Sequence, residues 1–194
     1  SMVLVLLIFL WNSRKKVLSY SLINIALLAL MLGIYLEKQE KLQQKDVVIF
    51  HTYKTSQLGI LKGSALHLYS ENLKNKDSIL KSYHIRNYKT LKGVDTIALN
   101  EFDAVYEIDD SEFLLVLDSI PAYPKKGFKA TYLLLKNSPD INIDRVLSDL
   151  KPEFIIADGS NYKSDFDRWK NSARKFNLKF HSTWEHGAFV LPKD

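Results

Sequence analysis

Residues 151–191 read KPEFIIADGSNYKSDFDRWKNSARKFNLKFHSTWEHGAFVL, and strand and helix signals alternate along this stretch. The apolar run 154–157 follows Pro152 and is short, which predicts a buried strand. The residues at 158–161, Asp-Gly-Ser-Asn, are typical of a turn. After Ser164, apolar residues recur at helical spacing and predict a helix. Two strands are then expected at 179–183 and 188–191, joined as a hairpin.

The preceding part of the chain is dominated by short apolar runs rich in β-branched and aromatic residues, which predict strands. A helix is expected at 143–150, ended by Pro152, while 77–83 is either a short helix or a loop. A meander of strands followed by alternating strands and helices predicts an α+β fold, with two β-sheets and helices packed outside them. The strands are predicted at 47–52, 57–62, 65–70, 95–100, 104–108, 113–119 and 131–135.

The amino-terminal part has a different composition. Residues 17–36, VLSYSLINIALLALMLGIYL, are twenty residues without a charge, which predicts a transmembrane helix. The apolar run 2–11 is too short to span a bilayer alone and is expected to be a truncated helix of a larger membrane protein. With a loop at 12–16 and a juxtamembrane segment at 37–45, residues 1–45 form a membrane region and 46–194 an extracytoplasmic domain.

Charge supports this division. Arg14, Lys15 and Lys16 favour the cytoplasmic side of a membrane, which places residues from 46 onward outside. Of the 27 Lys and Arg and 22 Asp and Glu in the chain, 21 basic and 20 acidic residues lie from Asp46 onward. The nearly neutral domain is therefore poor evidence for nucleic-acid binding by charge alone. Without a cysteine, thiol catalysis and cysteine-ligated zinc are excluded.

The turn after the predicted strand 154–157 is the first candidate site. Asp158, Ser160 and Asn161 lie where ligands bind in open α/β sheets, and His181 could join them as a candidate ligand turn. However, no nucleophile-elbow spacing is present, and hydrogen bonding within the turn would explain the same residues. His181 could instead form a zinc site with Glu185 and His186, for which no further ligand is evident; solvated histidines are the alternative.

The second candidate is the basic face of the helix after Ser164. Such a face could contact DNA phosphates in a sequence-independent, salt-sensitive way. The alternative is a solvated outer helix face without a partner. The residues that would contact nucleic acid are Lys163, Arg168, Lys170, Arg174 and Lys175.

The final unit of the chain resembles the carboxy-terminal end of ComEC-type competence proteins. The order is a proline (Pro152), a buried strand, a glycine turn, a helix, a strand, and then Thr183 followed by Gly187-Ala188 and a closing strand. The run 158–162, DGSNY, followed by Arg168-Trp169, is similar to the version in Bacteroidetes-type members. The resemblance implies a domain of metallo-β-lactamase fold behind the last membrane helices of a channel for transforming DNA.

The chain departs from this family at the metal ligands. A metallo-β-lactamase site needs a His-x-His-x-Asp-His cluster and later His and Asp ligands that hold two zinc ions. Residues 97–103 read IALNEFD instead, and 135–138 read LKNS where the family has His-His-Gly-Ser. The resemblance therefore implies a degenerate domain without a metal, a cofactor or catalytic residues, and no small-molecule substrate is indicated.

These observations predict a non-catalytic module of an inner-membrane DNA-uptake channel for natural transformation, with its soluble domain in the periplasm. The expected partners are the membrane, the rest of the channel polypeptide and incoming single-stranded DNA. Two alternatives stay open. One is a membrane-anchored metal-dependent hydrolase or nuclease with a rearranged site built from Asp158, His181, His186 and neighbouring acidic residues. The other is a bitopic protein whose domain binds another protein.

Overall fold

The computed structural model of the chain describes residues 2–71, 73–109, 111–120 and 128–192, and in the first helix it describes the side chains of Tyr20 and residues 24–43. The chain divides into two compact units between Gln43 and Gln44. The first unit is a single helix, and the second holds all the strands.

Helix α1 (Met2–Gln43) is continuous through 12–16, where the sequence predicts a loop. That prediction was wrong because Arg and Lys are good helix formers, and the helix contains no proline and only one glycine, Gly33. The predicted transmembrane helix at 17–36 is not supported. Among the described residues, no helix combines the length and the apolar character needed to cross a membrane.

Ten strands of the second unit form two five-stranded sheets, which confirms the α+β prediction. The strands of the first sheet lie in the order β10-β1-β2-β3-β4, antiparallel except for the β3–β4 pair. Their bounds are β1 Lys45–Ile49, β2 Gln57–Lys62, β3 Ala65–Ser70, β4 Thr96–Asn100 and β10 Phe189–Val190.

The second sheet has the order β5-β6-β7-β8-β9, and its last four strands run parallel. Its central strands are apolar on both faces, as expected for strands that are covered on both sides. The bounds are β5 Val105–Asp109, β6 Glu112–Leu117, β7 Tyr132–Leu135, β8 Phe154–Ala157 and β9 Lys179–Ser182.

The sheets pack face to face, with helices on both outer faces. Alternate residues of β1 show the layering, because Val47 and Ile49 lie in the core between the sheets whereas Val48 packs outward. Helices α2 (Lys76–Lys81) and α3 (Tyr83–Lys92) cover the first sheet. Helices α4 (Ile143–Leu150) and α5 (Lys163–Lys175) cover the second.

Two further features of the fold differ from expectation. The predicted hairpin at the end of the chain is wrong: β9 pairs with β8 and β10 pairs with β1, so the two strands belong to different sheets. Helix α6 (Thr183–His186) lies between them. Helix α3 was also missed, because it is polar overall and buries only Ile85 and Tyr88.

Candidate functional site

Polar side chains collect at one edge of the sandwich, where the parallel strands of the second sheet end. Asp118, Lys136 and Asp158 directly follow β6, β7 and β8. Because the carboxyl ends of parallel strands meet at the same edge of a sheet, these side chains lie near one another. The first sheet adds Glu71, after β3, and the turn at 50–56 between β1 and β2. Hydrogen bonds between the two groups join the sheets at this edge.

Lys136 is the most unusual residue of this edge, because its side chain is only 3% exposed. Its Nζ lies 2.6 Å from Glu71 Oε1 and 2.5 Å from Asp118 Oδ2. The ammonium also sits 4.7 Å from the centre of the Phe102 ring. Burial alone would lower the pKa of Lys136, but the hydrogen bonds to Asp118 and Glu71 outweigh it and raise that pKa. Lys136 is therefore a permanent cation between two carboxylates.

The pKa of Asp118 depends on the same balance between burial and hydrogen bonding. Burial tends to raise its pKa, but the hydrogen bonds from Lys136 and Asn137 lower it overall. The Asn137 amide donates to Asp118 Oδ1 at 3.0 Å and to Glu71 Oε1 at 2.6 Å. Asp118 thus stays ionised, and both carboxylates accept from Lys136 and Asn137, which is the arrangement that the buried ammonium requires.

The residues at this edge do not fit the two zinc ions of a metallo-β-lactamase site. Lys136-Asn137-Ser138 stand after β7, where the resemblance implies histidines. In the part of the chain that the structure describes, no group of three or more His, Asp or Glu side chains is placed to bind a metal ion. The neighbouring carboxylates of Glu71 and Asp118 are bound by an ammonium instead.

Asp158 forms the second polar cluster of the edge, and it is completely buried. Ser56, in the turn of the first sheet, donates its hydroxyl to Oδ2. Oδ1 accepts from the Ser160 backbone N–H at 3.0 Å, the Ser160 hydroxyl at 2.5 Å and the Asn161 amide at 3.2 Å. Burial raises the pKa of Asp158 to about 6, although the bonds from Ser160 and Ser56 act in the opposite direction.

Gly159 brings the turn of the first sheet against the Asp158 cluster. A Cβ at this position would lie 2.2 Å from the Thr52 carbonyl oxygen, so only glycine allows the two backbones to approach so closely. The Lys54 N–H donates to the Gly159 carbonyl at 3.0 Å, with Lys54 in the left-handed region at φ 57°. This backbone contact fixes the turn against the end of β8.

The predicted ligand turn is thus assembled, but its polar groups bind one another and the neighbouring loop. The Ser160 hydroxyl accepts from Asn137 N–H at 2.8 Å. The Asn161 side chain accepts from Ser138 N–H and donates to Leu135 O, both at 2.7 Å. Ser160 and Asn161 therefore hold the loops after β7 and β8 together. These bonds account for the turn without a ligand.

His181 lies apart from this cluster. Its Nε2 is 3.0 Å from the Gly187 carbonyl, a contact that requires Nε2 to carry the proton. Its ring packs against His186 and Phe189 with centroid separations of 5.5 and 4.8 Å. Glu185 is bound by Lys170 at 2.8 Å. The structure therefore uses His181 and Glu185 in local contacts rather than in the zinc site considered from the sequence.

The basic face of α5 is largely neutralised. Arg168 pairs with Asp165 at 3.0 Å, Lys170 with Glu185 at 2.8 Å, and Lys175 with Asp144 at 2.6 Å. Lys163 and Arg174 are exposed, and neither lies within 4.0 Å of a carboxylate of another described residue, although Arg174 adds to the effect of Lys170 in lowering the pKa of Glu185. Of the five predicted nucleic-acid contacts, these two form no ion pair within the described part of the chain.

Lys163 also lines a cleft whose wall includes Ser160 and Asn161 of the predicted ligand turn. The cleft has a volume of about 580 Å³ and opens beside the Gly159 contact. Three exposed aromatic side chains, Tyr53, Tyr162 and Trp184, surround it together with Lys54. For Tyr53 and Trp184 the available signal was position, because both lie in segments that follow strands, β1 and β9. A related signal, polar residues directly after strands, would have found Glu71, Asp118 and Lys136.

Comparison with known proteins identifies the family. Residues 47–193 match the family described as the ComEC C-terminal domain. Searches of curated proteins and of solved structures found no significant match. The family match covers most of the chain and the whole of the polar edge described above. The chain therefore belongs to the ComEC C-terminal domain family, part of a family of membrane proteins for competence and DNA uptake.

Proposed function

We propose that residues 46–194 form a non-catalytic module of a DNA-uptake channel, and that this module contacts the incoming DNA strand. The main support for a non-catalytic role is the buried Lys136 ammonium between Glu71 and Asp118. The DNA contact rests on the family and on the exposed cations of α5.

Lys136 opposes metal-dependent hydrolysis by its charge. Hydrolysis on this fold needs a metal ion that activates water. In surroundings with an effective dielectric constant of about 20, a divalent cation about 4 Å from an ammonium is disfavoured by roughly 8 kcal/mol from that repulsion alone. Lys136 already satisfies the nearest carboxylates, so the usual compensation for this repulsion is missing.

The DNA contact that we propose is centred on Lys163 and Arg174. Both are exposed and lack a paired carboxylate among the described residues. For phosphate contacts, Arg168, Lys170 and Lys175 would first have to leave Asp165, Glu185 and Asp144. We therefore expect a weak, sequence-independent interaction with a shallow salt dependence, because only a few counterions would be released.

For localisation, we propose the bacterial inner membrane, with residues 46–194 in the periplasm and the remainder of the channel polypeptide as partner. The family consists of membrane competence proteins. The uncharged stretch 17–36 follows the cluster Arg14-Lys15-Lys16, which favours the cytoplasmic side. Protease added to spheroplasts should digest the domain; protection of the domain would contradict this orientation.

Metal analysis tests the non-catalytic assignment. The purified full chain would be exposed to zinc and manganese, freed of excess ion and analysed for bound metal, and then assayed for nuclease activity with both metals. We expect less than one metal per chain and no cleavage. Stoichiometric metal, together with cleavage that Asp158→Asn abolishes, would overturn the assignment.

DNA binding is tested by charge reversal on two helices. Lys163→Glu and Arg174→Glu should each weaken binding of single-stranded DNA by roughly ten-fold at low salt and reduce the salt slope by about one. Arg86→Glu and Lys89→Glu are matched controls, because α3 covers the other sheet of the sandwich. Equal losses in both pairs would indicate non-specific attraction and contradict the proposed surface.

A further inference from the structure

We propose that the cleft beside Gly159 binds the bases of a single-stranded nucleic acid by stacking them on Tyr53 and Trp184. This inference rests on the DNA contact proposed above. Lys54 and Lys163 would contact the phosphates. The cleft thus favours a single strand with accessible bases over a duplex.

Exposure of the aromatic rings is the first observation. Tyr53 is 65% exposed, Tyr162 74% and Trp184 45%. Large aromatic side chains normally bury their area in a core or an interface, so three of them around one cleft indicate a binding surface. Aromatic faces accept any base, which gives binding that tolerates every sequence.

The rings are held in place before a ligand arrives. Trp184 packs edge-on against Tyr53 and His51, with centroid separations of 5.7 and 5.1 Å. His51 Nδ1 lies 3.1 Å from the Thr183 hydroxyl. The turn that carries Tyr53 is fixed by the backbone bond from Lys54 to Gly159. A platform fixed in this way loses little conformational entropy when a base stacks on it.

The charge of the cleft favours an anionic ligand. Among the described residues, its lining contains Lys54 and Lys163 and no acidic side chain. The Lys54 ammonium lies over the Tyr53 ring, 5.1 Å from its centre, so a cation stands at one face of the proposed stacking ring. Aromatic rings next to unpaired lysines match a ligand of alternating bases and phosphates. The volume of about 580 Å³ is also in the range of ligand clefts.

Binding of three labelled probes to the full chain tests the proposal: an oligothymidylate, an abasic strand of equal length, and a duplex. Tyr53→Ala and Trp184→Ala should each weaken oligothymidylate binding about ten-fold or more and leave binding of the abasic strand unchanged. The wild-type chain should prefer oligothymidylate to both other probes. Tyr83→Ala is the matched control, because Tyr83 is an even more exposed aromatic residue but lies on α3.

Tryptophan fluorescence supplies a second readout that does not depend on affinity. Oligothymidylate should quench an emission component that is absent from Trp184→Phe, while the buried Trp169 is unaffected. The Phe variant should retain most of the affinity, since an aromatic face remains. Thermal unfolding of each variant shows that the fold is kept.

The outcomes separate this inference from the proposed function. Equal binding of oligothymidylate by wild type and by Tyr53→Ala and Trp184→Ala, with weakening by Lys163→Glu, would overturn stacking and keep the DNA contact. Absence of binding to any nucleic-acid probe would overturn both. Binding of an acidic peptide at the cleft in preference to oligothymidylate would overturn the choice of nucleic acid as ligand.

Discussion

Two polar clusters lie at the same edge of the sandwich, and the buried group of each is stabilised in a different way. In the Lys136 cluster, an ammonium lies between Glu71 and Asp118, so each charge has an opposite charge beside it. In the Asp158 cluster, the carboxyl receives hydrogen bonds from Ser56 and Ser160 but has no ion-pair partner within 4.0 Å among the described residues.

The pKa values show the consequence. Ion pairing keeps the pKa of Lys136 raised and that of Asp118 lowered, so both groups stay charged at neutral pH. Hydrogen bonds alone do not compensate for the burial of Asp158, and its pKa rises to about 6. A neighbouring cation together with weaker burial keeps Asp118 a carboxylate, whereas complete burial without a neighbouring cation raises the pKa of Asp158.

Gly159→Ala is the substitution that we expect to destabilise the Asp158 cluster most. The added Cβ would lie 2.2 Å from Thr52 O, a backbone atom that cannot rotate away. The two turns must therefore separate, and we expect a loss of about 4 kcal/mol in the free energy of unfolding. Urea denaturation followed by the fluorescence of the buried Trp169 measures this loss.

Gly33→Ala is the matched control, because no described atom outside the backbone of its own helix and its chain neighbours lies within 4 Å of the added Cβ. In helix α1 this substitution should leave stability unchanged or raise it by up to about 1 kcal/mol. Similar losses for both variants would show that the close approach at Gly159 is not the cause.

The pH dependence of the free energy of unfolding tests whether the pKa of Asp158, which has no neighbouring cation, is raised. Its folded-state pKa of about 6 lies above the ordinary value of 3.8, so the folded protein holds the proton more tightly than the unfolded chain. The resulting stabilisation is complete below pH 3.8 and is lost as the pH rises through about 6. The expected contribution is about 3 kcal/mol, measured by urea denaturation at several pH values.

Asp158→Asn should remove this pH-dependent contribution, since an amide does not titrate in the range. Asp118 contributes in the opposite direction, because its lowered pKa adds stability that is lost on acidification. The difference between wild type and variant therefore isolates Asp158. If the free energies of unfolding of the two proteins change with pH in the same way, the pKa of Asp158 is not raised.

Lys136→Met tests the other cluster, because it removes the ammonium. Without the ammonium, the carboxylates of Glu71 and Asp118 face each other. Because these carboxyls are partly exposed, at 26% and 42%, we expect a moderate loss of about 2 kcal/mol at neutral pH. The loss should shrink in acid, where the wild-type protein also loses the stabilisation that comes from the lowered pKa of Asp118, and denaturation at pH 7 and pH 4 measures both losses.

The double variant Lys136→Met/Asp118→Asn should recover part of the stability, because one of the two facing charges is removed. Lys62→Met, at an exposed strand end, should change the free energy of unfolding by less than about 0.5 kcal/mol. A double variant that is as unstable as Lys136→Met would indicate that the lysine acts through packing rather than through charge.

Much of the fold could be predicted because it is encoded in short segments. The bounds of β2, β3 and β8 coincide with the predicted strands at 57–62, 65–70 and 154–157. Helix α4 coincides with the predicted helix at 143–150. These elements have strong local signals: apolar runs bounded by turn residues, or an amphipathic stripe stopped by a proline.

The candidate site was predicted less completely. Asp158, Ser160 and Asn161 were found because they occupy a recognisable turn after a strand. Lys136 was not found, since a lysine in a sequence is expected to lie in solvent. Its partners Asp118 and Glu71 are 18 and 65 residues away in the chain, so no local pattern indicates their contact.

The two-sheet class of the fold, the turn at 158–161 and the family could be inferred from residues that lie close together in the chain. The assignment of β9 and β10 to different sheets and the burial of Lys136 emerged from the folded molecule. So did the finding that, among the described residues, Lys163 and Arg174 form no ion pair, whereas Arg168 and Lys170 do. Ion pairs and sheet partners depend on where distant segments meet, and their energies appear only after the chain has folded.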